Sequence, residues 1–411
     1  MKVWFIAIAD FPEGRGITPR LRNLTSGLAE RGVDFALNIP YAYGYVGAGQ
    51  NTATSGSANG VPFEFISRSV ARPTTEVGVI AAKLKANIVL AARLLFGPTP
   101  HAVVLYNTSF IDTGLVILAA KVRGVRVIFD VCDERFDEHA LGWQRSWFRR
   151  INAWQTRVSD RALFRWADGF VCVSNHLREK VLERGGRAPL IMAPLASILR
   201  ADDAPTLVER RPDSVAYLGS LIADEGIEVL FEAVALLASE RPSLSLTIIG
   251  DANAPEYRQR LQTLVDGLRI GERVRFLGPR PASEAIEELR RHEVLVLPRP
   301  DSVISRAGFP GKISEYCASR RPIASTRFGD MPQYFEDGRD IYFARGYGVV
   351  DVAEVIRRAL SEPDRSEAVG REGFRTCLDR FGFDAVSAQV HRFIEEIVLG
   401  RTTVRTGSIR P

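Results

Sequence analysis

At 411 residues, 46% hydrophobic and 25% charged, the chain is long for a single core, and its composition is that of a folded globular protein, not a fibrous or disordered one. A net charge of +5 and an isoelectric point near 9.1 are too modest to imply nucleic acid binding; they suit a nucleotide diphosphate or an anionic membrane surface. Cys132, Cys172, Cys317 and Cys377 have no metal spacing and read as reduced cytosolic thiols, and His101, His139, His176, His292 and His391 are dispersed. No metal and no cofactor is therefore expected. The first apolar run is too short, with the wrong tail, for a signal peptide, and no run approaches the ~18 apolar residues of a membrane span.

The first strand spans 2–9, where Val3, Trp4, Phe5, Ile6 and Ile8 run without alternation, as central parallel strands do. A loop with Gly14 and Gly16 leads to a helix over 19–31, with Leu21, Leu24 and Leu28 inward, and then to a strand over 34–39. Such a unit suits a phosphate or sugar, and equally an ordinary βα turn, since a full G-x-G-x-x-G is missing. Residues 41–60, rich in Gly, Ser and Ala, read as a long mobile loop. A helix over 77–96, a strand over 101–106, a helix over 111–123 and a strand over 125–131 follow. Just past that strand stands the acidic run from Cys132 and Asp133 to His139, either a solvated loop or part of a site.

A long helix is expected over 141–166. Trp143, Trp147, Ile151, Trp154 and Val158 form one stripe on it, flanked by Arg150, Arg157 and Arg161. The stripe either packs on the sheet or meets a membrane interface, where tryptophan and arginine are at home. A strand over 170–174, a helix over 175–184 and a strand over 190–194 complete the first half, and 199–212 reads as a linker.

The rhythm then restarts. Strands are expected over 214–218, 244–249, 274–277, 293–297 and 341–343, and helices over 227–240, 254–268, 283–292 and 349–360, with a last helix over 383–399. Alternating strands and helices mean two doubly wound parallel sheets of Rossmann-like type. The domains expected are 1–198 with helix 383–399, and 213–382; the tail 400–411 reads as disordered.

The most informative stretch is 297–326, LPRPDSVISRAGFPGKISEYCASRRPIAST. A loop after the strand carries Arg299, Arg306 and Gly308. Pro310 and Gly311 then open a short helix on which Ile313, Tyr316 and Cys317 share a buried face. Ligands of open α/β sheets bind outside the carboxyl ends of strands, and a helix N-terminus suits a phosphate there. Lys312 and Glu315 stand at that N-terminus and read either as ligand groups or as a surface ion pair.

Phe309, Pro310, Lys312, Glu315, Tyr316, Ala318, Pro322, Ile323 and Thr326 resemble the F-P-x-K-x-x-E-Y-x-A-x-x-x-P-I-x-x-T pattern of glycosyltransferase family 4, retaining enzymes of GT-B fold. The resemblance covers nearly the whole chain and is specific over 217–335. It implies two Rossmann-like domains facing a cleft, and transfer of a sugar from a nucleotide-sugar donor to a hydroxyl of a saccharide or lipid-linked acceptor. It implies that Glu315 holds the donor's ribose hydroxyls, and that Gly14, Gly16, Gly219, Gly250, Arg280, Arg306, Gly308 and Gly311 line the donor. Asp133 would face the reacting sugar, beside Cys132 where a histidine is often found.

The chain departs from the pattern at three places. Ser220, Glu225 and Ala307 stand where many members have arginine, lysine and glutamate. The usual cationic clamp on the donor diphosphate is thus replaced; Arg299, Arg306 and Lys312 are the local candidates to take its place, with Arg15 or Arg20 from the other domain, and Arg299 and Lys312 are expected to carry the charge. Glu225 is expected to point away. A silent nucleotide-sugar binding protein and a nucleotide-sugar epimerase are the alternative readings. The expected setting is cytoplasmic, possible at the inner membrane face through helix 141–166.

Overall fold

The computed structural model describes residues 1–14, 16–44, 51–106, 110–133, 158–159, 161–194, 197–201, 208–252 and 254–401. The chain divides into two compact units, 1–197 with 383–411 and 198–382.

The first unit is built on an eight-stranded sheet. Its strands are β1 (Lys2–Ile6), β2 (Asp34–Ile39), β3 (Ser55–Ala58), β4 (Val61–Phe65), β5 (Ala102–Tyr106), β6 (Arg126–Val131), β7 (Gly169–Cys172) and β8 (Leu190–Met192), in the order β3-β4-β2-β1-β5-β6-β7-β8. All neighbours are parallel except β3 against β4. Helices α1 (Ile17–Glu30), α2 (Glu76–Phe96), α3 (Leu115–Val122) and α4 (Asn175–Glu183) connect the strands. Val3, Phe5, Leu37 and Val104 face one buried core with Leu21, Leu24 and Leu28 of α1. Trp4, Ile6, Val103 and Leu105 face the other, with Leu90 and Leu94 of α2 and Ile117 of α3. Strands covered on both faces carry no polar alternation, which is why their sequence is an unbroken apolar run.

The second unit has a six-stranded parallel sheet in the order β11-β10-β9-β12-β13-β14. Its strands are β9 (Ser214–Leu218), β10 (Ser245–Ile249), β11 (Val274–Gly278), β12 (Val294–Leu297), β13 (Ile323–Ser325) and β14 (Tyr342–Phe343). Around it lie α5 (Ile227–Ala238), α6 (Pro255–Gly267), α7 (Ala282–Arg290), α8 (Val303–Ala307), α9 (Ile313–Ser319), α10 (Met331–Tyr334), α11 (Val349–Ser361) and α12 (Pro363–Phe381). The last helix, α13 (Phe383–Leu399), belongs to the first unit and packs on α1. A Cβ at Gly27 of α1 would strike Ser387 of α13, so glycine permits that close approach.

Several expectations need correction. Residues 41–60 are not one loop: β3 lies within them, pairs with β4 and extends the sheet. The helix over 111–123 opens as a π turn at Phe110–Gly114 before α3. The loop after β12 contains α8, whose Ser302 cap and Ser305 bond reciprocally. Helix α12 is not foreseen from the sequence, because its exposed face is densely charged and its buried face carries Gly370 and Gly373. Those glycines allow the backbones of 320–322 and Asp340 to approach. Most of the helix expected over 141–166 lies outside the described residues; its end, Phe164–Trp166, is a 3-10 turn. Residues 202–207 of the linker 199–212 and the tail beyond Arg401 also lie outside them.

Candidate active site

In the second unit, four charged side chains gather where β9 and β12 end. Arg299 follows β12. Its carbonyl accepts from the Thr326 hydroxyl, its guanidinium lies over the Phe328 ring with 5.4 Å to the centroid, and its Nε stands 3.3 Å from Glu225 Oε2. Both side chains are largely enclosed, 12% and 19% exposed. Burial raises the Glu225 pKa above the usual carboxylate range, while the charges of Arg299 and, more weakly, Lys312 oppose that rise. The turn that carries Glu225 is fixed by Gly226. At φ 75° its backbone is left-handed, and a Cβ there would run into the Pro298 carbonyl. Glu225 therefore faces the candidate cations, and the expectation that it points away is overturned. Arg299 Nε is enclosed and has no hydrogen-bond partner among the described residues, so Glu225 meets it as a charge and not through a hydrogen bond.

Lys312 is half exposed at the N-cap of α9, and its Nζ lies 3.8 Å from Glu315 Oε1. Glu315 Oε2 accepts from the Ser314 hydroxyl at 2.8 Å, which fixes one edge of the carboxylate. Behind them the buried Tyr316 hydroxyl accepts from Leu218 N–H at 2.8 Å and lies 3.0 Å from the Val296 carbonyl. One side chain thereby ties α9 to the ends of both β9 and β12, and so sets where Glu315 stands. From the sequence, Tyr316 is legible as part of a buried face and of the family pattern, but not as this hydroxyl tie.

The other donor-side expectations fare differently. Gly219 and Gly250 have a packing reason to be glycine: a Cβ on Gly250 would meet the Gly219 carbonyl, and one on Gly219 the Tyr217 hydroxyl. Gly311 has open space where a Cβ would stand, and Gly308 ends α8 with ordinary negative φ. Arg306 is exposed and pairs with Asp301 at 3.4 Å, and Arg280 pairs with Glu284 at 3.7 Å, so both are engaged by neighbours in sequence.

In the first unit, a second polar cluster sits at the carboxyl ends of β5 and β6. Tyr106 donates its hydroxyl to Asp133 Oδ2 at 2.5 Å, with Asp133 exposed. Beneath them Arg20 donates from Nε and Nη2 to the Asp130 carboxylate at 3.2 and 2.9 Å, and from Nη1 to the Ala193 carbonyl at 2.7 Å. Burial alone would lower the Arg20 pKa, but Asp130, Cys132 and Tyr106 outweigh it and hold the guanidinium charged. Arg20 is thus an internal strut and not a free phosphate cation, which corrects its place among the candidates. Arg15 lies outside the described residues, as do Glu134 to His139 of the acidic run. Burial pushes the Cys132 thiol well up, with Asp130 and Asp133 adding to that against Arg20; Cys132 is a packed neutral thiol.

Gly14 and Gly16 also have local reasons. A Cβ on Gly14 would strike Thr18 Oγ1, which donates to the Asp10 carbonyl at 2.6 Å, and Gly16 takes φ 63° ahead of α1. The pairings Arg20–Asp130, Tyr106–Asp133 and Arg299–Glu225 are not foreseen from the sequence. Of these only the last leaves a mark there, Glu225 at a position where the family resemblance implies lysine.

Residues 15–195 match a family model described as glycosyl transferase 4-like domain, and residues 212–362 one described as glycosyl transferases group 1. A D-inositol 3-phosphate glycosyltransferase of Corynebacterium jeikeium is 27% identical over 191 residues, 46% of this chain and 44% of that protein. The chain thus spans less than half the length of that relative. In fold, it resembles sucrose-phosphate synthase of Thermosynechococcus elongatus (TM-score 0.70, 14% identity, 97% of this chain and 99% of that one). It also resembles the Anabaena HepE protein in complex with UDP and glucose (TM-score 0.66, 15% identity, 96% and 100%). Both units are matched by glycosyltransferase models and the two parallel α/β sheets have the GT-B form, so the chain belongs to the family 4 type of GT-B glycosyltransferases.

Proposed function

We propose that the protein is a retaining glycosyltransferase that moves a sugar from a nucleotide-sugar donor to a hydroxyl of a saccharide or lipid-linked acceptor, as in polysaccharide or glycoconjugate synthesis. The observation that carries this is the group Glu315, Lys312 and Arg299 at the carboxyl ends of β9 and β12, within the segment matched as glycosyl transferases group 1. A carboxylate accepts both protons of a vicinal diol, the role given to Glu315 toward the ribose. As the bond between the anomeric carbon and the diphosphate breaks, negative charge collects on the leaving oxygens. Lys312 and the Arg299 guanidinium stabilise it, without a divalent cation. Asp133, oriented by Tyr106, is the acceptor-side candidate.

The setting in this reading is cytoplasmic, at the inner membrane face when the acceptor carries a lipid. No helix among the described residues is long and apolar enough to cross a membrane. The first test is a thermal-shift screen against nucleoside diphosphates, beginning with UDP, the ligand in the HepE structures. Transfer from the matching radiolabelled nucleotide sugar, with and without chelator, then separates an enzyme from a silent binder. Proton NMR of the product's anomeric signal decides retention. A purified protein with no shift for any nucleotide would sink the reading.

A further inference from the structure

Helices α2 and α3 present an apolar outer face. On α2, Val77, Ile80, Leu84 and Ile88 are between 40% and 71% exposed, and they fall at helical spacing along one stripe. On α3, Leu115, Leu118 and Val122 do the same, between 42% and 68% exposed. Isolated exposed apolar side chains are ordinary, but a stripe repeated on two adjoining helices is a surface. The seam between the helices is polar. The Asn87 side chain donates to the Ile111 carbonyl and accepts from Val116 N–H, each at 3.0 Å, and Lys83 pairs with the nearly buried Asp112 at 3.0 Å. The pair is therefore locked from within, and its outer stripe is surplus to that packing.

We propose that this face docks the protein on an anionic lipid surface. From Val77 to Phe96 and from Leu115 to Arg123 there is no acidic residue; of the basic residues there, Lys83, Arg93 and Lys121 pair with Asp112, Glu64 and Asp168, which leaves Lys85 and Arg123. Lys85 and Arg123 are exposed and have no ion-pair partner among the described residues. An apolar stripe flanked by cations complements a negative headgroup layer over acyl chains, and helix α2 is about 30 Å long, enough to lie along it. A second copy of the same face would instead set cation against cation. The proposal rests on this surface alone and stands or falls separately from the donor site.

The test uses the full chain and extruded vesicles, one set of phosphatidylglycerol with phosphatidylcholine and one of phosphatidylcholine only. Wild type is expected to co-sediment with the anionic set at low salt and to release as salt rises. The triple variant Leu84→Ser, Ile88→Ser, Leu118→Ser and the double variant Lys85→Glu, Arg123→Glu should each lose at least about tenfold in partitioning, with unchanged melting and unchanged nucleotide response. Equal binding by both variants, or no binding by wild type, overturns the proposal. So does loss on Arg150→Glu with Arg157→Glu while the triple variant still binds. A lipid-free dimer dispersed by the triple variant would assign the face to a second copy.

Discussion

Arg299 and Glu225 form a largely enclosed ion pair, Nε to Oε2 3.3 Å, at the turn where the resemblance to family 4 implies a lysine in place of the glutamate. The turn before α5 thus presents an acid, and the cation beside it comes from the loop after β12. Removing Glu225 should separate two effects. Glu225→Gln leaves Arg299 unpaired and should cost about 2 kcal/mol or more of stability in urea unfolding. The same change removes a negative charge near the diphosphate and should tighten nucleoside diphosphate binding by about tenfold, measured by calorimetry. Weaker binding in Glu225→Gln would mean that the carboxylate chiefly orients Arg299.

Glu315 supplies the second test. Its carboxylate is bonded on one edge by Ser314 and paired loosely with Lys312, so a neutral isostere should fold normally. Glu315→Gln should weaken nucleotide binding by about 1.5–3 kcal/mol, the loss of charge-assisted bonds to a diol. Unchanged affinity would leave Glu315 as a partner of Lys312 and nothing more.

The long apolar strands were legible because burial on both faces leaves no polar residue in them, and Glu315 and Lys312 were legible because a short pattern fixes them around Tyr316. Three things were not. Strand β3, SGSA, has no side-chain pattern of its own and exists through pairing with β4. Helix α12 opens on Pro363, and charged residues and two glycines break up its apolar pattern. The pairs Arg20–Asp130 and Tyr106–Asp133 join residues far apart in sequence and depend on which strands end side by side, which no local window contains.

Lys312 is half exposed and holds its partner at 3.8 Å, so its removal should hardly touch stability. At saturating donor, Lys312→Ala should slow transfer by about tenfold to a thousandfold, as expected for a group that stabilises developing charge. Equal turnover would return it to a surface pair with Glu315.

On the acceptor side, Asp133→Asn keeps the shape and loses the charge that Tyr106 donates to. Transfer should fall by about tenfold or more while nucleotide affinity stays unchanged, because Asp133 belongs to the first unit and Glu315 to the second. Tyr106→Phe should reproduce part of the loss. A fall in nucleotide affinity with unchanged turnover would contradict this division of labour.

The last prediction concerns acid stability. His292 is buried, its Nε2 lies 3.3 Å from Arg211 Nη1, and its Nδ1 has no hydrogen-bond partner among the described residues. Burial, with Arg211 adding to it, lowers the imidazole pKa to about 4 against the pull of Glu288. The folded state therefore binds a proton less readily than the unfolded chain, whose histidine titrates near 6.5. Between those values the unfolded state carries the extra proton, so stability is full above about pH 6.5 and falls as pH drops toward 4. The loss from this one group should be on the order of 3 kcal/mol. Urea unfolding of wild type and His292→Gln from pH 7 to 4 measures it, since carboxylate titrations other than that of Glu288 are common to both and cancel. Parallel pH profiles would show that His292 is protonated in the fold, paired with Glu288 at 3.6 Å.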